Sequence, residues 1–420
     1  MRKKIIISLI LSFVVLAFVS MAISETEKKK KDDLYKQVEL FSDTLVIIQS
    51  EYVDEPNSKD LIYGALKGML SSLDPHSQFM DPDTYNELKV DTEGKFGGLG
   101  IEITIKDGLL TVVTPIEDTP AWKAGIKAGD RIVKINNELT RDLTLTEAVK
   151  KMRGKPGEAV NLAVLRESEN KILEFKIIRD IIKIKDIKDA RILEDGIGYI
   201  RLVEFRENTA QDINAVLENL SKQGMSALIL DLRNNPGGLL DVAVKVSEKF
   251  VEKGKLIVST KSRKANQDLE FISRAAHPIL NIPMVVLINQ GSASGSEIVA
   301  GCLQDYKRAI IVGTKSFGKG SVQTVVPLGD GSALRLTTSK YFTPLGKVIH
   351  EKGVTPDIIV EEGAIVLAEN QEAKEKSKEV FSEVEKKDKK APEANVFDYK
   401  SDNQLMRAVD ILKAVKFYKE

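Results

Sequence analysis

Apolar and polar positions divide this chain into segments with different periods. A charge-free, mostly apolar run extends from Ile5 to Phe18 and weakens toward Ile23. Helical spacing follows, through Leu34, Val38, Leu40, Leu45 and Ile48 and then Leu61, Ala65, Leu66, Met69 and Leu70, and predicts a helical segment over 33–90. The period then falls to two: Ile101, Ile103 and Ile105 alternate with polar neighbours, as do Val160, Leu162 and Val164, while Ala148 to Met152 keeps a helical pattern. Residues 95–180 are therefore expected to form a compact β-rich module.

From Ile197 onward, apolar strands alternate with helices. Strands are predicted at Ile197 to Val203, Ala227 to Leu232 and Met284 to Ile288, with helices through Ile213 to Leu220 and Val242 to Phe250. After a helix that starts near Ser294, further strands are expected at Ile311 to Thr314, Ser321 to Val326 and Ala333 to Thr338. This rhythm implies a layered α/β core over 185–362. Lys and Glu dominate 369–394, which reads as a charged linker, and 396–420 recovers amphipathicity through Leu405, Val409, Leu412 and Val415, as a terminal helix that docks on something would. At 420 residues, two or three compact units are the starting expectation.

Charge and composition exclude several classes. Lys plus Arg and Asp plus Glu both number 62, so the chain is not built to coat nucleic acid. Arg2, Lys3 and Lys4 ahead of the first apolar run mark an export segment over residues 1–23, either a cleaved signal peptide ending near Ser20-Met21-Ala22 or a retained membrane anchor in 5–23. The location expected is extracytoplasmic, periplasmic or cell-envelope. The single cysteine, Cys302, rules out an intrachain disulfide and sits in an apolar helical pattern as a core residue. His76, His277 and His350 are scattered without metal-ligand spacing, so no metal site is expected.

Three glycine-marked segments lie at the predicted strand ends, where open α/β sheets place ligands. In Asp231-Leu232-Arg233-Asn234-Asn235-Pro236-Gly237-Gly238, two glycines let the backbone approach a substrate and turn N–H groups toward a developing oxyanion, although an ordinary strand-to-helix turn uses the same residues. In Asn289 to Glu297, Ser292, Ser294 and Ser296 crowd a helix start whose free N–H groups favour negative charge; Ser294 with Glu297 also makes a capping box, and composition does not choose among the three serines. In Thr314 to Gln323, Lys319 lies between two glycines. No histidine occurs in these segments, so a lysine with its pKa lowered by burial is the natural base for a serine, with Gln323 placed to orient the amine. Gly313, Gly318 and Lys319 fall at phosphate-loop spacing, but Gly320 stands where the magnesium-binding hydroxyl belongs and a strand follows instead of a helix.

From Leu34 to Val360 the sequence resembles the carboxyl-terminal processing peptidases, or tail-specific proteases. The resemblance is carried in order by Ser71 to Ser77, Gly97 to Ile101, Asp231 to Gly238, Ser292 to Glu297, Gly318 to Gln323 and Gly353 to Asp357. It implies a mixed α/β, multidomain fold: a crotonase- or ClpP-like catalytic core, an inserted β-rich PDZ domain, and helical N- and C-terminal segments. It also implies a Ser294 nucleophile, Lys319 base and Gln323 support, with oxyanion donors from Gly237, Gly238 and Gly295, where many members carry alanine at 295. Gly98, Leu99, Gly100 and Ile101 would hold the terminal carboxylate of a protein substrate, and Asp118 to Ala121 and Ala124 to Asp130 continue the PDZ pattern. Arg153, near the module's end, is a candidate gate between tail binding and the catalytic pair, or a solvated turn residue. No cofactor is required, and a homodimer is plausible for such a chain. Two alternatives differ in class: an exported PDZ binding module with an inactive catalytic domain, and a chymotrypsin-like PDZ protease, for which His277 and His350 lack a triad context.

Overall fold

The computed structural model describes residues 33–141, 143–279, 281–363 and 399–419, so the expected export segment and the charged linker lie outside the described residues. The chain divides into two units, one formed by described residues up to Asp81 with Val326–Leu336 and the other by Pro82–Val325 with the described residues from Thr337. In the first, residues 33–51 and Ser58–Ser71 are helices, and the Asn57 side chain caps the second by accepting the Lys59 N–H at 2.9 Å. The helical expectation is interrupted by a short strand, Gln78–Met80, which pairs antiparallel with Ala333–Arg335 and buries Phe79 and Met80. Its partner lies far along the chain, beyond the reach of any local period.

In the second unit a helix, Pro82–Glu93, leads into Lys95–Gly98, which pairs antiparallel with Asp180–Lys183. This two-stranded ribbon is both the entrance to and the exit from the β-rich module. The module itself is a sheet ordered Ile101–Lys106, Leu109–Pro115, Arg131–Ile135, Ala159–Arg166 and Lys171–Ile178, closed by the helix Leu145–Met152. Val160, Leu162 and Val164, the alternating residues of the sequence, face its core with Ile132, Ile135 and Ala148. Ile101–Lys106 is an edge strand, paired on one side only.

The α/β core is a six-stranded sheet ordered Ile187–Ile192, Ile197–Leu202, Ala227–Asp231, Met284–Ile288, Ile310–Gly313 and Ile358–Ile359, parallel after its first antiparallel pair. Its strands read as unbroken apolar runs because both faces are covered. Ile200, Leu202, Leu228, Leu230, Val286, Ile288 and Ile311 face a core completed by helices Thr209–Lys222, Leu240–Ser247 and Gly295–Asp305. The residues between them, Ile197, Tyr199, Ala227, Ile229, Val285, Leu287 and Val312, pack against Leu405, Ala408, Val409 and Leu412 of the helix Asn403–Lys419. The amphipathic terminal segment thus has its docking surface, the second face of the sheet. Cys302 is fully buried in the first core, and burial pushes its thiol up to about 12.

The module's own stability leans on a buried ion pair. Arg166 donates from Nε to Asp130 Oδ1 at 2.8 Å and from Nη2 to Asp130 Oδ2 at 2.7 Å, with side-chain exposures of 9% and 1%. Arg166→Met would leave that carboxylate buried without its cation, at a cost of about 3–5 kcal/mol. Urea unfolding followed by circular dichroism should show a transition displaced to lower denaturant by that amount, and an unchanged midpoint would show that the pair does not hold the module.

Candidate active site

Three neighbouring parallel strands, Ala227–Asp231, Met284–Ile288 and Ile310–Gly313, release their turns at the same edge of the sheet, and these turns are the three glycine-marked segments. They are bonded to one another. Asn234 N donates to Asn289 Oδ1 at 2.9 Å, Ala293 N to Asn235 O at 3.0 Å, and Phe317 N to Ser292 O at 3.0 Å.

Packing separates the three serines that composition left equivalent. Ser292 and Ser296 are fully buried, and each spends its hydroxyl on a backbone carbonyl, Ser292 on Leu232 O at 2.8 Å and Ser296 on Asn235 O at 2.9 Å. Ser294 is only half-buried and holds φ 52° and ψ −112° at the start of helix Gly295–Asp305. Such a backbone costs a non-glycine residue on the order of 1–3 kcal/mol and persists only where its surroundings enforce it. Gly237 helps to enforce it: a Cβ there would stand 2.6 Å from Ser294 Cβ and 2.7 Å from Gly295 N.

Glu297 joins the serine turn to the lysine loop. Its carboxylate is fully buried and accepts four hydrogen bonds: Ser294 N at 2.8 Å and Lys319 N at 2.9 Å on Oε2, Ser316 Oγ at 2.6 Å and Gly318 N at 2.7 Å on Oε1. Burial pushes this carboxyl above its ordinary range, against the pull of those donors. Tyr341 also spans the two segments. Its hydroxyl donates to the Lys319 carbonyl and lies within hydrogen-bond reach of the Ser294 side chain, and burial, followed by the nearby Glu297 charge, pushes the phenol well up, so it stays protonated. Lys319 and Gln323 are half-buried, Gln323 on the strand Ser321–Pro327 that the lysine loop enters.

Sequence reasoning met Glu297 only as a cap. The one signal for more was a carboxylate followed directly by Ile298, Val299 and Ala300, where a charge needs several partners. Tyr341 carried no signal, since it is one aromatic on a long strand, Ala333–Phe342.

Gly237 and Gly238 differ in what their N–H groups meet. Its N–H donates to Asn235 Oδ1 at 2.9 Å, while the Asn235 amide also donates to Leu202 O at 3.0 Å, so the buried asparagine closes the turn on Gly237 and takes its donor. The N–H groups of Gly238 and Gly295 meet no acceptor among the described residues. Gly238 has φ 138° and lies flush on Phe205, where a Cβ would come within 2.2 Å of Phe205 O.

In the β-rich module, Gly98, Leu99, Gly100 and Ile101 line a groove of about 200 Å³ with Phe96, Ile103 and Val149. The N–H groups of Leu99 and Gly100 have no acceptor among the described residues, and the groove runs beside the open edge of Ile101–Lys106. Arg153 lies at its rim, half-buried, with its guanidinium 4.5 Å from the Phe96 ring centre. The next residue, Gly154, donates its N–H to Gly97 O at 3.1 Å, which ties this turn to the ribbon.

Comparison with known proteins agrees with this architecture. Sequence profiles described as peptidase family S41, PDZ domain and activating protease CtpB N-terminal domain match residues 196–360, 111–166 and 7–84. A carboxy-terminal-processing protease of Bartonella bacilliformis is 46% identical over 366 residues, covering 86% of this chain and 83% of its own. A carboxyl-terminal-processing protease of Picosynechococcus is 38% identical over 320 residues, covering 75% of this chain and 77% of its own. A solved structure from Bacteroides fragilis assigned to the S41 proteases shares the fold, with a TM-score of 0.50 and 16% identity over 88% of this chain and 97% of its own. The chain therefore belongs to peptidase family S41, as a PDZ-containing serine peptidase of the carboxy-terminal-processing type.

Proposed function

We propose that this peptidase cleaves proteins with free C-terminal tails, using Ser294 as nucleophile and Lys319 as general base. The observation that carries the reading is the shared oxygen of Glu297, to which the N–H groups of Ser294 and Lys319 both donate, at 2.8 and 2.9 Å. The neutral lysine amine takes the Ser294 proton, Oγ adds to the peptide carbonyl, and the N–H groups of Gly238 and Gly295 receive the oxyanion. Collapse expels the amine, which takes the proton back from the Lys319 ammonium. Water, deprotonated by the again neutral Lys319 amine, then adds to the acyl carbonyl, and collapse frees the acid as Lys319 returns the proton to Ser294 Oγ. Gln323 orients Lys319. Gly237 contributes by lacking a side chain where Ser294 Cβ sits.

In the same reading the PDZ groove takes the tail as an added strand on Ile101–Lys106, with its carboxylate on the N–H groups of Leu99 and Gly100. Arg153 and Gly154 connect that groove to the ribbon, which supports Arg153 as the gate. The basic start and apolar run of residues 5–23 support export, with membrane association if the segment is retained, and so an extracytoplasmic location. Exposed Leu34, Val38, Leu40, Val46 and Ile47 on the helix 33–51 support a homodimer.

The direct test is cleavage of an unfolded protein with an apolar tail by Ser294→Ala and Lys319→Ala. Each variant should lose at least about 10³-fold in kcat at an unchanged circular dichroism spectrum. Wild-type rates in both would leave Ser294 as a helix cap and favour the binding-module alternative. Amidating the substrate's C-terminus should raise KM by about 10-fold, the value of one charged contact at about 1.4 kcal/mol; equal KM for both forms would remove tail recognition.

Glu297→Gln places an amide NH₂ among N–H donors and should lower kcat by about 10- to 100-fold through 1–3 kcal/mol of lost alignment. Its stability has a definite sign with pH. Because the folded carboxyl titrates above its unfolded value of about 4.3, the wild type gives up stability as pH rises through the folded pKa. The glutamine variant does not, so the gap between their unfolding midpoints should narrow from pH about 4 toward neutrality. A gap that widens over this range would refute the assignment of the shift.

A further inference from the structure

The turn that carries Gly238 begins at Arg233, whose side chain is 11% exposed and wholly committed. Nε and Nη2 donate to Asp231 at 3.0 and 2.7 Å, Nη1 and Nη2 donate to Asp402 at 3.0 and 2.7 Å, and Nη1 also donates to Gln404 Oε1 at 2.9 Å. These five bonds use every N–H a guanidinium has, so the group can take only one orientation here. Asp231 terminates a central strand and also accepts the Tyr199 hydroxyl at 2.8 Å. Asp402 and Gln404 belong to the start of the helix Asn403–Lys419, where Asp402 Oδ1 also accepts Leu405 N at 3.0 Å and Gln404 Nε2 donates to Val360 O at 2.7 Å.

Helix docking does not by itself account for this cluster. The apolar contacts of Leu405, Ala408, Val409 and Leu412 already attach the helix to the sheet. A desolvated ion triad adds little net stability, because removing its charges from water offsets their attraction. What the triad does supply is position. One residue past Arg233 the chain turns through Asn234 at φ 57°, and Asn234 exchanges hydrogen bonds with the Asn289 amide at 2.9 and 3.0 Å. Asn289 begins the turn that leads to Ser294.

We infer that Asp402 and Gln404 are positioning residues for peptide cleavage: the C-terminal helix holds, through Arg233, the turn that presents the Gly238 N–H beside Ser294. The inference rests on the proposed reading of Ser294 and its oxyanion donors. Asp402 and Gln404, at the start of that helix, then act on catalysis without touching substrate, while its apolar face serves only to dock it.

Steady-state cleavage by the full chain tests this with Asp402→Asn, Gln404→Ala, Leu412→Ala and Ser294→Ala measured together. Asp402→Asn should lose about 10- to 100-fold in kcat, a fraction of the effect of deleting an oxyanion donor outright, with KM unchanged and little change in melting temperature. Gln404→Ala, which keeps the ion triad, should show a smaller loss of the same kind. Leu412→Ala loosens the same helix from its apolar side, so its melting temperature should fall while kcat, read well below that temperature, stays at the wild-type value. Wild-type kcat in both Asp402→Asn and Gln404→Ala beside an inactive Ser294→Ala would overturn the clamp alone. So would a kcat loss that tracks melting temperature across all three helix variants. Retained cleavage in Ser294→Ala would remove the clamp and the site reading together.

Discussion

One buried carboxylate holds the serine turn against the lysine loop in this chain. Glu297 sits in the first turn of a helix that is buried from Gly295 to Leu303, where an unpaired charge would be prohibitive. It is tolerable only because four donors converge on it, and those donors come from both the serine turn and the lysine loop. The spacing between the serine turn and the lysine loop is therefore set by the requirement that a charge be satisfied. Much else follows from that requirement. The serine must enter the helix with its N–H turned back toward Glu297, and the lysine loop must approach with the N–H groups of Gly318 and Lys319 leading. Tyr341 then closes the arrangement from the opposite strand, with its hydroxyl on the Lys319 carbonyl.

The turn that carries Gly238 is built on a different principle. No charge lies inside that turn; a neutral side chain, Asn235, folds it by bonding Leu202 O and Gly237 N, and backbone pairing of Phe205 with Gly237 and Leu239 seats it on the core. The charges are held one layer out, on Arg233 and its two carboxylates. This division leaves the residues from Asn235 to Gly238 neutral, yet still fixes the turn with strong bonds.

The limits of sequence reading follow the range of the interactions. Strands such as Met284–Ile288 and the helix after Ser294 were legible because burial on both faces, or on one stripe, writes itself into neighbouring residues. Gln78–Met80 was not legible as a strand, because its only strand partner among the described residues is Ala333–Arg335. The same holds at the site. Ser294 could be singled out by resemblance, but that Ser292 and Ser296 are structural depends on two carbonyls in another turn. Gly237 was expected as a donor because glycine permits the geometry, and only the position of Asn235 decides that its neighbour Gly238 keeps the free N–H.

The covering of the sheet also has a temporal side. Three helices that protect one face are encoded between its strands and can pack as those strands emerge. The other face waits for residues 403–419, made after every strand of the sheet. Without them, Tyr199, Ile229 and Leu287 lose the apolar cover of Leu405, Ala408, Val409 and Leu412, and Arg233 lacks its second carboxylate. A chain that has ordered only these strands and their three helices thus has the serine turn before it has a finished core.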